Sequence, residues 1–288
     1  MALVADVAGD RTSKGALDAG EQRESELVVD DGVAELTLGD GVRVSLPVGD
    51  EAAVAESDNG DQVVVAEDET AFAALEKDDS SVQVVFSIVD ADEPVDFPFV
   101  VEPVAGARWV LLDGGGALYL DRQGGIVVGA VTPWAVDAAG AAVPTRFEVR
   151  GDSLVQVVDH RRAGVTYPVV ADPWLGSDLF SKVTRDTYNG DLRINATKST
   201  WGNAMHLPNA SSWAIFFTAG WNEVKAKQPR VTEKATLKQQ YECHVAGGYF
   251  NIAGTWNLEK FRPNRTAAAG WGWRVETHRC NWTTASGT

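Results

Sequence analysis

Cysteine, methionine and histidine are scarce in this chain, and long apolar runs are missing altogether. Two Cys, two Met and four His occur in 288 residues. With no Cys-x-x-Cys pair and no His-Glu-x-x-His string, the spacings that hold zinc are excluded. No stretch approaches the ~20 apolar residues that a membrane-spanning helix needs, so no membrane span is expected. A phosphate-binding loop is excluded too. Gly114-Gly115-Gly116 leads into an apolar strand pattern rather than a helix, and no Gly-Lys-Ser/Thr follows. Neither metal nor cofactor is expected. Residues 1–6 carry neither a basic region nor an apolar run of signal-peptide length, so an exported reading takes the start of the chain as a processed end.

Charge of one sign is scarce in each half. Residues 1–172 hold 33 Asp and Glu against 11 Lys and Arg, net −22, whereas residues 173–288 hold 8 against 14, net +6. Fields of this size govern association rather than fold. Either the two halves neutralise each other within the molecule, or the basic half meets an anion once freed. Both cysteines, Cys243 and Cys280, and eight of the ten tryptophans lie in the region from Trp174 onward. That composition suits a small exported domain closed by one disulfide. The alternative is a pair of reduced core cysteines. A bridge across the 37-residue separation would add roughly 4 kcal/mol by loop closure.

Along the acidic half, residues 1–26 are small, polar and charged and predict a disordered or loosely ordered lead-in. From Leu27, β-branched runs alternate with Gly and Asp turns. Residues 34–38 and 42–46 flank Asp40-Gly41, a strong hairpin signal. Further strands are expected at 62–65, 82–89, 97–101, 108–112, 116–120, 125–131, 145–149 and 154–158. An antiparallel sandwich or meander over 27–166 follows. One helix is expected there, at 70–77 (TAFAALEK). Pro168 and Pro173 favour extended backbone and predict a junction at 167–176.

The basic half, 177–288, reads as a small α+β domain closed by the disulfide. The expected elements are an Asn189-Gly190 hairpin with a strand near 192–197, strand continuation through 199–206 and a helix at 211–225 with Ser at its start. A better helix lies at 236–245, stopped by Gly247-Gly248, and a closing strand at 274–279 leads to Cys280.

Two resemblances add to this. The series from Pro133-Trp134-Ala135 through Gln156-Val157-Val158-Asp159-His160 to YPVVADP resembles, over about residues 80–173, a region of exported actinobacterial proteins that precedes a variable C-terminal domain. It implies a leader and no catalysis. The series Trp213, Gly220-Trp221, Gln239/Gln240, Cys243-His244, Asn257-Leu258-Glu259, Arg262-Pro263 and Cys280-Asn281 resembles, over about residues 200–282, a small exported actinobacterial domain family of unknown function. No reaction carries over from it. Given that bacterial resemblance, the glycosylation patterns at Asn195, Asn209, Asn264 and Asn281 are read as chance.

Candidate chemistry lies in the basic half. A Cys243–Cys280 bridge would bring His244 and His278 into one neighbourhood, and with Glu259 and Arg262 they form a candidate catalytic set, an acid/base pair beside a cation. Adjacent helical residues point about 100° apart, however, so Cys243 and His244 face different partners. The competing readings are structural histidines and a structural Glu259–Arg262 ion pair that anchors the Pro263 turn. Lys225, Lys227, Arg230, Lys234 and Lys238 form a basic stretch that either tracks an anionic polymer, nucleic acid or cell wall, or is a solvated face. The resulting expectation is a secreted protein whose basic domain engages an anionic extracellular or cell-surface partner, with the acidic domain as leader or shield. The alternative is an antibacterial hydrolase-like effector using His244, His278 and Glu259 on nucleic acid or wall polymer.

Overall fold

Valine-rich alternation separated by tight turns produces antiparallel pairing throughout the first part of the chain. The computed structural model describes residues 25–30, 33–38, 41–48, 53–56, 62–65, 71–247, 254–266 and 280–285. Contacts gather the chain into two compact units that divide between Ser177 and Asp178.

The first unit holds two sheets. One runs β1 (Glu26–Asp30), β2 (Val33–Thr37), β3 (Arg43–Ser45), β8 (Asp96–Val101), β14 (Ser153–Val158) and β13 (Thr145–Arg150) in spatial order. The other runs β4 (Ala53–Glu56), β5 (Gln62–Val65), β6 (Ala71–Glu76), β7 (Val82–Ile88), β16 (Trp174–Gly176), β11 (Ile126–Ala130), β10 (Ala117–Leu120) and β9 (Arg108–Leu111). β12 (Ala135–Val136) pairs with β15 (Val169–Ala171), which also pairs with β7. Both sheets contribute to one large apolar core, and Ala73, Val85, Val136 and Val170 form a separate smaller cluster. At the centre of the large core Phe86 of β7 lies 4.5 Å from Phe97 and 6.3 Å from Phe99 of β8, ring centre to ring centre. Aromatic pairs at such distances add about 1 kcal/mol beyond area burial.

Two expectations change here. Of the helix expected at 70–77, the described residues 71–77 form none: Ala71–Glu76 is strand β6, paired with β5 and β7. Its Ala, Leu and Glu favour helix intrinsically, but Phe72 and Ala73 are buried within a sheet whose neighbours need a partner, and tertiary context outweighs propensity. Nor is 167–176 a plain connector. After a cis Tyr167-Pro168 bond the chain enters β15 and then β16, both hydrogen-bonded into the second sheet. The apolar triplet Val169, Val170 and Ala171 is buried there, so the junction is spent on core packing.

The second unit has a three-stranded antiparallel sheet, β17 (Phe180–Tyr188), β18 (Asp191–Lys198) and β19 (Thr255–Glu259) in that order. Asn189 and Gly190 both take positive φ, 50° and 77°, and make the tight β17–β18 hairpin turn that the Asn-Gly pair predicts. Helices α1 (Thr200–Met205), α2 (Ala210–Ile215), α3 (Trp221–Lys227) and α4 (Ala235–Gly247) follow, with a wide π-type turn, Phe216–Gly220, joining α2 to α3. Where strand continuation was expected through 199–206, Ser199 starts α1 instead. Its Oγ accepts from the Gly202 amide at 2.7 Å. The cap of α2 is Asn209, which accepts from Ser212 N at 2.8 Å. The strand expected at 274–279 lies outside the described residues, as does Gly248.

Candidate functional site

Helix α4 is stitched to the last residue of β19 and to the segment that follows it. The Gln240 side chain forms two bonds with one backbone residue, donating to Glu259 O at 2.9 Å and accepting from Glu259 N at 2.8 Å. Gln239 does the same to Arg265, at 3.2 and 2.8 Å. Arg262 Nε donates to Glu259 Oε2 at 2.6 Å, and its Nη1 donates to Trp282 O at 3.2 Å. Trp282 Nε1 in turn donates to Pro263 O at 2.8 Å, and the indole packs on the Cys243–Cys280 disulfide, whose Cα atoms are 5.5 Å apart. Asn281, with its amide turned to satisfy its neighbours, donates to Asn257 O and to Gln240 Oε1. Gln240, Cys243, Asn257, Glu259, Arg262, Pro263, Cys280 and Asn281 thus meet in one brace. A paired, nearly buried carboxylate of this kind fixes geometry; removing either partner would strand a charge.

Behind the brace lies a second cluster, organised by the buried Trp256 of β19. His244 stacks on its ring at 5.4 Å with planes 9° apart, while Cys243, one residue earlier on α4, turns to the disulfide. His206 meets the same ring edge-on at 5.6 Å, and the Lys198 ammonium lies 5.6 Å from its centre. Lys198 Nζ is 3.0 Å from His206 Nδ1, and His206 Nε2 is 2.9 Å from Val245 O. An ammonium can only donate, so Nδ1 accepts and the proton of the neutral ring sits on Nε2, donated to the carbonyl. Burial, together with the Lys198 charge, holds His206 down to about 4, and burial lowers Lys198 to about 8. Phe180, Phe216 and Tyr241 complete the aromatic surround.

Of the expected catalytic set, His244 is 6% exposed and Glu259 4% exposed, and His278 lies outside the described residues. Four of the five expected anion-binding cations are engaged internally. Lys227 donates to Glu223 and Asp178, both at 2.8 Å, and Glu223 also accepts from Leu179 N and Phe180 N. Burial raises Glu223 to about 7. Arg230 pairs with Glu233, Lys238 lies 3.4 Å from Glu242, and Lys234 donates to the carbonyls of Lys260 and Arg262. Lys225 has no such partner among the described residues, and neither do Lys182 and Arg185 on β17.

Sequence reasoning missed Lys198, His206 and Trp282, and quoted Gln240 in a resemblance without giving it a role. The signal for Lys198 was present: Leu192, Ile194 and Ala196 alternate inward along β18, and position 198 continues that parity. No comparable signal marked His206, because α1 itself was not expected.

Comparison with family models, with curated proteins and with solved structures finds no match to this chain. Among the described residues no helix is long and apolar enough to cross a membrane, and no group of three or more His, Cys, Asp or Glu is placed to hold a metal ion.

Proposed function

We propose that this chain is an exported bacterial protein whose basic unit binds an anionic extracellular or cell-surface polymer without chemistry, the acidic unit serving as its leader. The observation that carries this reading is a coincidence. The division between Ser177 and Asp178 falls where the charge changes sign, and residues 173–177 carry no charge, so the units hold net −22 and +6. The disulfide supports an oxidising compartment. Lys182, Arg185 and Lys225, uncommitted among the described residues, would supply the phosphate or carboxylate contacts, and the exposed Tyr188 and Phe217 would offer apolar contact surface.

Binding of the full chain to a labelled polyphosphate and to single-stranded DNA, titrated with salt, tests it. The expected result is salt-sensitive binding that weakens when Lys182, Arg185 and Lys225 are changed together to Gln, with a log–log salt slope smaller by about 2. Absence of binding at low salt, or binding indifferent to the triple change, overturns the reading. The hydrolase alternative is tested beside it. If His244→Ala abolishes an activity of the chain on polymer while the fold is retained, the non-catalytic reading fails.

A further inference from the structure

Arg161 and Arg162 are the only adjacent pair of basic residues in the 288-residue sequence, and they fall in the acidic half, where Lys and Arg are few. They stand in the ten-residue connection between β14 and β15, the longest between consecutive described strands from β6 onward within the first unit. The neck of that connection is closed. Tyr167 donates through its hydroxyl to His160 O at 2.9 Å, and His160 itself is buried with Nε2 3.0 Å from Pro94 O. Beyond the neck, Arg161, Arg162, Ala163 and Gly164 are all exposed and lie in turns without strand pairing. Among the described residues the Arg162 side chain meets only Asp159, at 3.6 Å, in a pair more than half exposed on both sides, which is worth little and opens readily. Arg161 is held by the carbonyls of Asp92 and Glu93.

We infer that the Arg162–Ala163 bond is a processing site for an endopeptidase whose specificity pocket carries a carboxylate, and that the cut turns a covalent junction into a non-covalent one. This rests on the leader reading above. Exposed loop tips are where folded proteins are nicked, and the rate follows how easily the local segment opens. Hydrolysis adds water across the amide: hydroxyl goes to the Arg162 carbonyl carbon, a proton goes to the Ala163 nitrogen, and carboxylate and ammonium ends result. The new end at Ala163 is followed by β15 and β16, which remain paired with β7, β11 and β12. Asp172 accepts from Gln83 Nε2 at 2.8 Å and from Trp134 N at 3.0 Å, and Trp174 Nε1 donates to Ser81 Oγ at 2.8 Å. Each of these bonds crosses from one product to the other, so 163–288 stays docked after the cut.

The test exposes the oxidised full chain briefly to trypsin and, separately, to an endopeptidase specific for paired basic residues, with products read by mass spectrometry. The expected first cut beyond Arg23 gives a new end at Ala163 with both enzymes. The two pieces co-elute on size exclusion in native buffer and separate in denaturant. Arg162→Gln slows that cut at least tenfold, with thermal unfolding unchanged. Early cutting elsewhere in 25–288, resistance to the paired-basic enzyme, an unchanged rate in the variant, or separation of the pieces without denaturant overturns the inference. Because no polymer is present, failure here and failure of polymer binding are read independently.

Discussion

The Lys198 ammonium donates to His206 Nδ1 across 3.0 Å, in an interior where both side chains are less than 5% exposed. A cation beside a ring forces that ring to stay neutral, and the pair makes stability depend on pH. His206 sits near 4 when folded against an ordinary value near 6.5, so the unfolded chain takes up the proton first. Its contribution is complete above about pH 6.5 and is lost as pH falls toward 4, a change of about 3 kcal/mol. Glu223, raised to about 7 in the same unit, has the opposite sign: its contribution is greatest below about pH 4.5 and fades as pH rises to 7. Urea unfolding of the native chain and His206→Asn between pH 4 and 7 separates the two. The variant is expected to lose the acid-side fall while keeping the Glu223 limb.

Gly202 and Gly220 are required by close approaches rather than by unusual φ. A Cβ at 202 would stand 2.1 Å from the Leu179 carbonyl oxygen, backbone against backbone, and Gly202→Ala is expected to cost about 3 kcal/mol. A Cβ at 220 would meet the Tyr241 hydroxyl at 2.6 Å. That hydroxyl donates to Phe216 O at 2.6 Å, at the start of the π-type turn. Gly220→Ala is therefore expected to destabilise less in a Tyr241→Phe background than in the native one. A double-mutant cycle by thermal unfolding gives the coupling, and simple additivity would contradict the contact.

Arg262→Met should cost about 3–5 kcal/mol, since it leaves the buried Glu259 carboxylate without its partner, and Glu259→Gln should cost less, because Arg262 is partly exposed and still donates to Trp282 O. Replacing both should cost much less than the sum. Denaturant unfolding measures this, and near-neutral single changes would show that the pair is not a structural brace.

Removing the disulfide by Cys243→Ala with Cys280→Ala should lower stability by roughly 4 kcal/mol, chiefly by releasing the 37-residue loop in the unfolded chain. The loss should appear in thermal unfolding of the second unit and leave the Phe86–Phe97 core of the first unaffected.

Burial of Asp172 raises its carboxyl to about 7. Its contribution is largest below the ordinary aspartate range and declines as pH rises through about 7. Asp172→Asn should flatten that decline in unfolding of the first unit between pH 5 and 8, and an unchanged profile would refute the shift.

Local pattern carried the parts of this protein that depend on neighbours in sequence. Alternation made ten strands of the first unit legible, β2, β3, β5, β7 to β11, β13 and β14, Asn189-Gly190 made its hairpin legible, and spacing along 236–245 made α4 legible. The charge contrast between residues 1–172 and 173–288 was legible as composition, and the cysteine count pointed to the bridge. The tertiary structure decided what depends on partners far along the chain. It turned Ala71–Glu76 from a good helix former into a strand because β5 and β7 flank it. It put Val169–Ala171 into a sheet instead of a linker, and it started α1 at Ser199. It also chose which polar groups meet across the chain, Gln240 with the β19 backbone and Lys198 with His206, whereas the Glu259–Arg262 pair was legible from its spacing of three. Propensity and periodicity act over a few residues at energies of a few tenths of a kcal/mol, whereas burial and the pairing of buried charges act at several, so wherever the two conflicted the long-range terms prevailed.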